Sequence, residues 1–96
     1  MMLVLPQALT QVEATACLRG LVNDLRTQSG SNMVVDATAL TKFDSAALAV
    51  LLEFRREVIA LGKHFSVRGL PQRLADLAAL YGIHELLPAE LADPVK

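Results

Sequence analysis

Apolar residues in this chain fall alternately into short solid runs and longer spaced runs, the signature of strands alternating with helices. Residues 2–5 are uniformly apolar and are stopped by Pro6, which predicts a short buried strand. Thr10-Gln11-Val12-Glu13 then has capping-box spacing, the threonine accepting from a first-turn amide and the glutamate reaching back. Leu18, Leu21, Val22 and Leu25 recur behind it at helical spacing until Ser29-Gly30-Ser31 stops the helix. Residues 33–35 form a second apolar strand ending at Asp36, and a loop over 37–43 leads to a longer helix. Its N-cap is placed at Asp44, with Phe43 and Leu48 as a hydrophobic staple and Gly62 in the C′ position. Residues 65–68 give a third strand with Phe65 and Val67 on one face. Pro71 suits the first turn of another helix, striped by Leu70, Leu74, Leu77, Ala78 and Tyr81 and ended by Gly82. Residues 83–87 extend or cap the sheet edge, and 89–96 offer little to bury and form a frayed tail. The order implies parallel pairing with right-handed crossovers in one α/β domain spanning 1–96, without linker or internal repeat.

The long helix carries the most information. On a wheel at ~100° per residue, Ala47, Val50, Leu51, Phe54, Val58 and Leu61 gather on a core arc. Leu48, Leu52 and Ile59 make an adjoining apolar edge. The outer arc holds Ser45, Ala46, Ala49, Glu53, Arg56, Glu57 and Ala60, so its first two turns are small and its charges begin only at Glu53. Alanine is a good helix former, which explains the pattern by propensity alone. A second explanation is that small side chains let the backbone of another protein approach. Periodicity leaves both open. Ser45 is equally double-edged, since serine at a helix start ordinarily caps the helix.

Composition narrows the function classes. Of the 96 residues 53% are apolar and mean hydropathy is +0.41, rich for so small a domain, so part of that surface is expected to meet a partner. Aromatics are 4%, net charge is −1 and pI is near 6.0, which gives no stacking platform and no electrostatic reason to bind nucleic acid or anionic lipid. Cys17 is alone, so it builds neither an internal disulfide nor a thiolate metal site, and it is read as core filling. The longest apolar run, 46–52, is far below the ~20 residues of a membrane span, and residues 1–5 lack the basic flank of a signal peptide. A cytosolic setting is expected.

The segment Val34-Val35-Asp36-Ala37-Thr38-Ala39-Leu40-Thr41-Lys42-Phe43-Asp44-Ser45-Ala46-Ala47-Leu48 resembles the STAS signature: a buried strand, a D-x-S/T-x-L loop, then D-S/T at a helix start followed by small residues and leucine. Leu51-Leu52, Gly62-Lys63, Arg68-Gly69-Leu70-Pro71, and Leu77-Ala78-Ala79-Leu80-Tyr81-Gly82 with Leu86-Leu87-Pro88 are similar to the MlaB-like branch. The resemblance implies a single STAS-like α/β domain with a small, mostly parallel sheet of three to four strands and about three helices. It differs in two respects. STAS domains usually begin with a strand pair where only one short strand precedes the first helix here, so the N-terminal hairpin looks shortened. Glycine often follows the helix-start serine, where this chain has Ala46-Ala47.

In that branch the STAS protein binds the cytosolic ATPase of an ABC transporter that moves phospholipid between bacterial membranes and maintains outer-membrane lipid asymmetry. The resemblance therefore implies a non-enzymatic docking subunit, cytoplasmic and peripheral to the inner membrane through its partner, without cofactor or metal. The partner-binding residues expected are Lys42, Asp44, Ser45, Ala46, Ala49, Leu48 and Leu52, and from the apolar excess the isolated chain is expected to self-associate or to express better with its partner. The alternative is an anti-sigma factor antagonist in which Ser45 is the phospho-acceptor for an anti-sigma factor kinase, the added charge falling beside Asp44. An enzyme reading fails for want of a base, because His64 lies a helix length from Ser45 and His84 has no fixed relation to it. No G-x-S-x-G, P-loop or H-E-x-x-H motif occurs, and Asp36 and Asp44 have ordinary capping jobs.

Overall fold

The computed structural model describes residues 2–89. In chain order the elements are β1 (Met2–Val4), β2 (Ala8–Leu9), α1 (Ala14–Arg26), β3 (Asn32–Asp36), β4 (Lys42–Phe43), α2 (Ser45–Ala60), β5 (His64–Arg68), α3 (Gln72–Leu80) and a 3-10 turn (His84–Leu86). The main sheet is parallel with order β1-β3-β5, and β2 pairs with β4, also in parallel. The α/β fold expected from the pattern, with three helices and three principal strands, is the fold observed.

Strand register explains which face is covered. Leu3, Val35 and Val67 form one row and Met33 with Phe65 another, and all five are buried under the helices. The alternate residues Met2, Val34 and Ser66, then Val4, Asp36 and Arg68, lie on the opposite face, half-buried or exposed. Side chains in a strand alternate faces, so a sheet covered on one side must alternate apolar and polar positions. Residues 2–5 therefore do not form a strand buried throughout: Val4 is 65% exposed. At the far edge Val67 N donates to Pro88 O at 2.8 Å, and Ala89 bridges Val67 in parallel. The segment after α3 thus caps that edge, but through Pro88 and Ala89 rather than the expected residues 83–87, so Ala89 is part of the sheet edge and not of a frayed tail. Most of the expected tail, 90–96, lies outside the described residues.

α2 is the central helix. Ala47, Leu48, Val50, Leu51, Phe54 and Val58 are buried, and Phe54 meets Phe65 of β5 edge-to-face with ring centroids 6.2 Å apart. Truncating a buried phenylalanine of this kind costs about 3–5 kcal/mol. Two sequence expectations are corrected here. Leu48 is 2% exposed and belongs to the core, because α2 packs against α1 and α3 as well as β5, so its buried arc is wider than one sheet-facing stripe. Leu61 is 53% exposed, because the helix ends at Ala60 and Leu61 falls in the closing turn, where Gly62 adopts φ 74°. α1 buries only Leu21 and Leu25 fully, with Cys17, Leu18 and Val22 packed beside them. Burial raises the pKa of the Cys17 thiol, consistent with a packing role. α3 buries Leu74 and Ala78, with Pro71 at its N-cap, while Tyr81, expected on its stripe, is 56% exposed.

Candidate docking surface

Every expected partner-binding residue except Leu48 lies at the front of α2, on its outer side, or on the short strand leading into it. Asp44 is extended (φ −136°, ψ −165°) and uses both carboxylate oxygens. Oδ1 accepts from Ala46 N at 2.8 Å, the N-cap read from the sequence. Oδ2 accepts from Gln11 N at 3.2 Å, which ties the start of α2 to the turn before α1. That turn is itself closed. Glu13 Oε1 accepts from Thr10 N at 2.7 Å and Thr10 Oγ1 at 2.6 Å, and these two bonds hold its carboxyl pKa below the ordinary value. The Thr10–Glu13 pairing is the one foreseen, but α1 starts a turn later, at Ala14, with Glu13 as its N-cap.

The loop into α2 is pinned from three sides. Gln7 O accepts from Thr41 N at 2.8 Å and Lys42 N at 3.0 Å, which lets the two-residue strands β2 and β4 pair. Thr38 donates to Asp36 Oδ1 from its amide (2.9 Å) and its hydroxyl (2.6 Å), lowering the pKa of that carboxyl. Gly69 has φ 67°, and a Cβ placed on it would lie 2.1 Å from Thr38 Cγ2, so only glycine lets these two loops touch. Arg73 of α3 sits over the Phe43 ring at 5.8 Å from its centroid.

On this rigid base the front of α2 presents little bulk. Ser45 and Ala49 are exposed and Ala46 is half-buried. Because Asp44 supplies the cap, the Ser45 hydroxyl makes no hydrogen bond among the described residues. Ala49 stands between two shallow grooves. One, about 270 Å³, is lined by Ala14, Thr15, Leu18, Val50 and Glu53. The other, about 390 Å³, is lined by Leu52, Glu53, Arg55, Arg56 and Leu86. Lys42 is exposed just before α2, and the exposed ion pair of Glu53 with Arg56 at 3.2 Å marks where small residues give way to charge. Leu86 at 36%, Leu80 at 77% and Tyr81 at 56% exposure add apolar surface around the end of α3.

The sequence did not single out Gln11, Arg73 or Leu86. Leu86 lies within the motif that pointed to the family, but no periodicity could place a residue beyond Gly82 against α2. Neither histidine serves Ser45: His64 opens β5 at the opposite end of α2, a helix of 16 residues and so about 24 Å long. His84 lies in the 3-10 turn and makes no hydrogen bond to Ser45 among the described residues. No group of three potential metal-ligating side chains occurs among the described residues, and no helix there is long and apolar enough to cross a membrane.

This combination of parallel sheet, helices on one face, and an acidic cap followed by serine and small residues defines a STAS domain. The chain belongs to the family described as "Mlab, STAS domain", whose family model matches residues 1–88. Among solved structures it is similar to an anti-sigma-factor antagonist (STAS) domain protein from Planctomyces limnophilus. The TM-score is 0.78 at 12% identity, over 96% of this chain and 82% of that one, a likeness of fold alone. No curated protein matches the sequence. STAS proteins of this family are generally non-catalytic.

Proposed function

We propose that this protein is a non-enzymatic docking subunit that binds and regulates the cytosolic ATPase of an ABC-type phospholipid transporter, one that maintains outer-membrane lipid asymmetry. It resides in the cytoplasm and reaches the inner membrane only through that partner. The observation that carries the reading is the small face of Ser45, Ala46 and Ala49, set between two grooves and anchored by the two-handed Asp44 carboxylate. A helix start stripped of bulk allows close backbone approach, while Leu52 and Leu86 supply apolar contact and Lys42 a charged rim. Membership of the MlaB-type family supports an ATPase as that partner. The experiment is co-purification with the transporter ATPase, comparing wild type with Ala49→Arg. Retention of a folded Ala49→Arg variant at wild-type level would place the docking face elsewhere.

A second reading is supported by one observation, the exposed Ser45 hydroxyl at a helix N-terminus. Phosphate there is tolerated by the helix dipole and adds charge beside Asp44, which would repel a partner. On this reading the chain is an anti-sigma factor antagonist switched by a partner kinase. Mass spectrometry of the protein from its native host decides between them, since stoichiometric phosphate on Ser45 belongs only to the second.

A further inference from the structure

Arg55 differs from the other cations of α2. It is half-buried and lines the groove of about 390 Å³ beside Ala49, together with Leu52 and Leu86. Its guanidinium nevertheless makes no hydrogen bond or ion pair among the described residues. Its neighbour Arg56 is exposed and already bound to Glu53 at 3.2 Å. The carboxylates at this end of the molecule are engaged as well: Glu53 by Arg56, Glu13 by Thr10, and Asp44 by the amides of Ala46 and Gln11. Glu57 lies two residues on, about 200° round the helix. Glu85, in the turn that carries Leu86, makes no ion pair with Arg55. A guanidinium carries five N–H donors in a planar fork. Walled by Leu52 and Leu86 and without a protein acceptor, that fork is free to take an incoming anion.

We infer that this groove receives an acidic side chain of the ATPase, its carboxylate taking two parallel N–H bonds from Arg55 while the apolar atoms beside it cover Leu52 and Leu86. The inference deepens the docking reading and rests on it. Ala49, small and on the rim of the same groove, lets the partner backbone come close enough for a side chain as short as aspartate or glutamate to reach the guanidinium. Charge and shape select this occupant. A second copy docked face to face about a two-fold axis would set Arg55 and Arg56 against their own kind. A lipid surface offers its phosphates as a layer, whereas Arg55 is met by a group that projects between Leu52 and Leu86. Docking strips the remaining water from the pair, so a partner lacking the carboxylate leaves a charge uncompensated, and Arg55 sets specificity.

Titration of the full chain against the purified transporter ATPase, with circular dichroism on every variant, tests it. Arg55→Gln removes the charge and should weaken binding about 30-fold or more. Arg55→Lys keeps the charge without the paired donors and should lose less, roughly tenfold. Arg55→Glu should bind at background, and a lysine in place of one ATPase carboxylate should restore it. Arg26→Gln, exposed in the last turn of α1, should bind like wild type. Added salt should weaken wild type more than Arg55→Gln. If Ala49→Arg abolishes binding while folded Arg55→Gln and Arg55→Glu bind like wild type, the inference falls and the docking reading stands. If wild type does not bind the ATPase, both fall. Arg55-dependent flotation with phosphatidylglycerol vesicles, or Arg55-dependent self-association in sedimentation velocity, would give the groove to a lipid surface or a second copy and overturn the inference.

Discussion

The two ends of α2 are built on opposite plans. The front is over-determined: Asp44 caps it and binds Gln11, β4 leads into it, and Arg73 and Gly69 fix the loop behind it. The back is closed by the backbone bonds of Leu61 and Gly62 and by one lysine, Lys63, reaching to the loop before β3, with Ile59 and Leu61 left exposed. Apolar exposure does not separate the two ends, since Val12, beside the Gln11 that binds Asp44 at the front, is 87% exposed and Leu61 at the back 53%. The difference teaches that exposed hydrophobicity and a positioned surface are separate properties, and the proposed docking face rests on the second.

The largest effect that would break this contrast is on binding. Ala49→Arg should reduce ATPase co-purification to background, a loss on the order of 2 kcal/mol or more at an interface centre, with unchanged circular dichroism. Ile59→Arg at the back should bind like wild type; equal losses from both would show that the ends do not differ. Next, Gly69→Ala forces a side chain onto Thr38 in a left-handed backbone and should destabilise the fold by about 1–3 kcal/mol in urea titration. Gly62→Ala has the same sign of φ but open space around it, and should cost only about 1 kcal/mol. Asp44→Ala should cost about 1 kcal/mol as a lost cap and weaken docking as well, whereas Ser45→Ala, which removes no hydrogen bond, should change stability by less than about 0.5 kcal/mol. The smallest effect is that of pH. The carboxyls of Glu13 and Asp36 have pKa values held below their ordinary 4.5 and 3.8, so their contribution is complete above those values and is lost as pH falls through the lowered ones. Thermal melts should therefore be flat from neutrality down to about pH 5 and decline only at greater acidity.

What was legible in the sequence follows from the length scale of each signal. The three principal strands and three helices were readable because periodicity accumulates over many residues, and Asp44 and Gly62 because caps are local chemistry. β2 and β4 were not, since two residues show no alternation; they exist because Gln7 O captures the amides of Thr41 and Lys42 from a distant loop. Leu48 was misplaced because a helical wheel knows one neighbour and α2 has three. Thr10 and Glu13 found each other as expected, yet the helix began later, because a closed turn need not be continued. Within the candidate site, the small face was visible as composition, but its flanking grooves depend on Leu18 and Leu86, residues brought to α2 by tertiary packing alone.

Parallel strands joined by helices sort the connections by end. The segments leaving β3 and β5 gather at the front of α2, while those entering the two strands gather at the other pole. There Lys63 Nζ donates to the Gln28 carbonyl at 3.3 Å and to that of Gly30, drawing the two rear loops together. Ser29 lies exposed between those carbonyls. A cysteine placed there, with Cys17 replaced by alanine, gives a fluorophore attachment point at the pole opposite the front of α2. Such a reporter can follow assembly by energy transfer without standing in the partner's way.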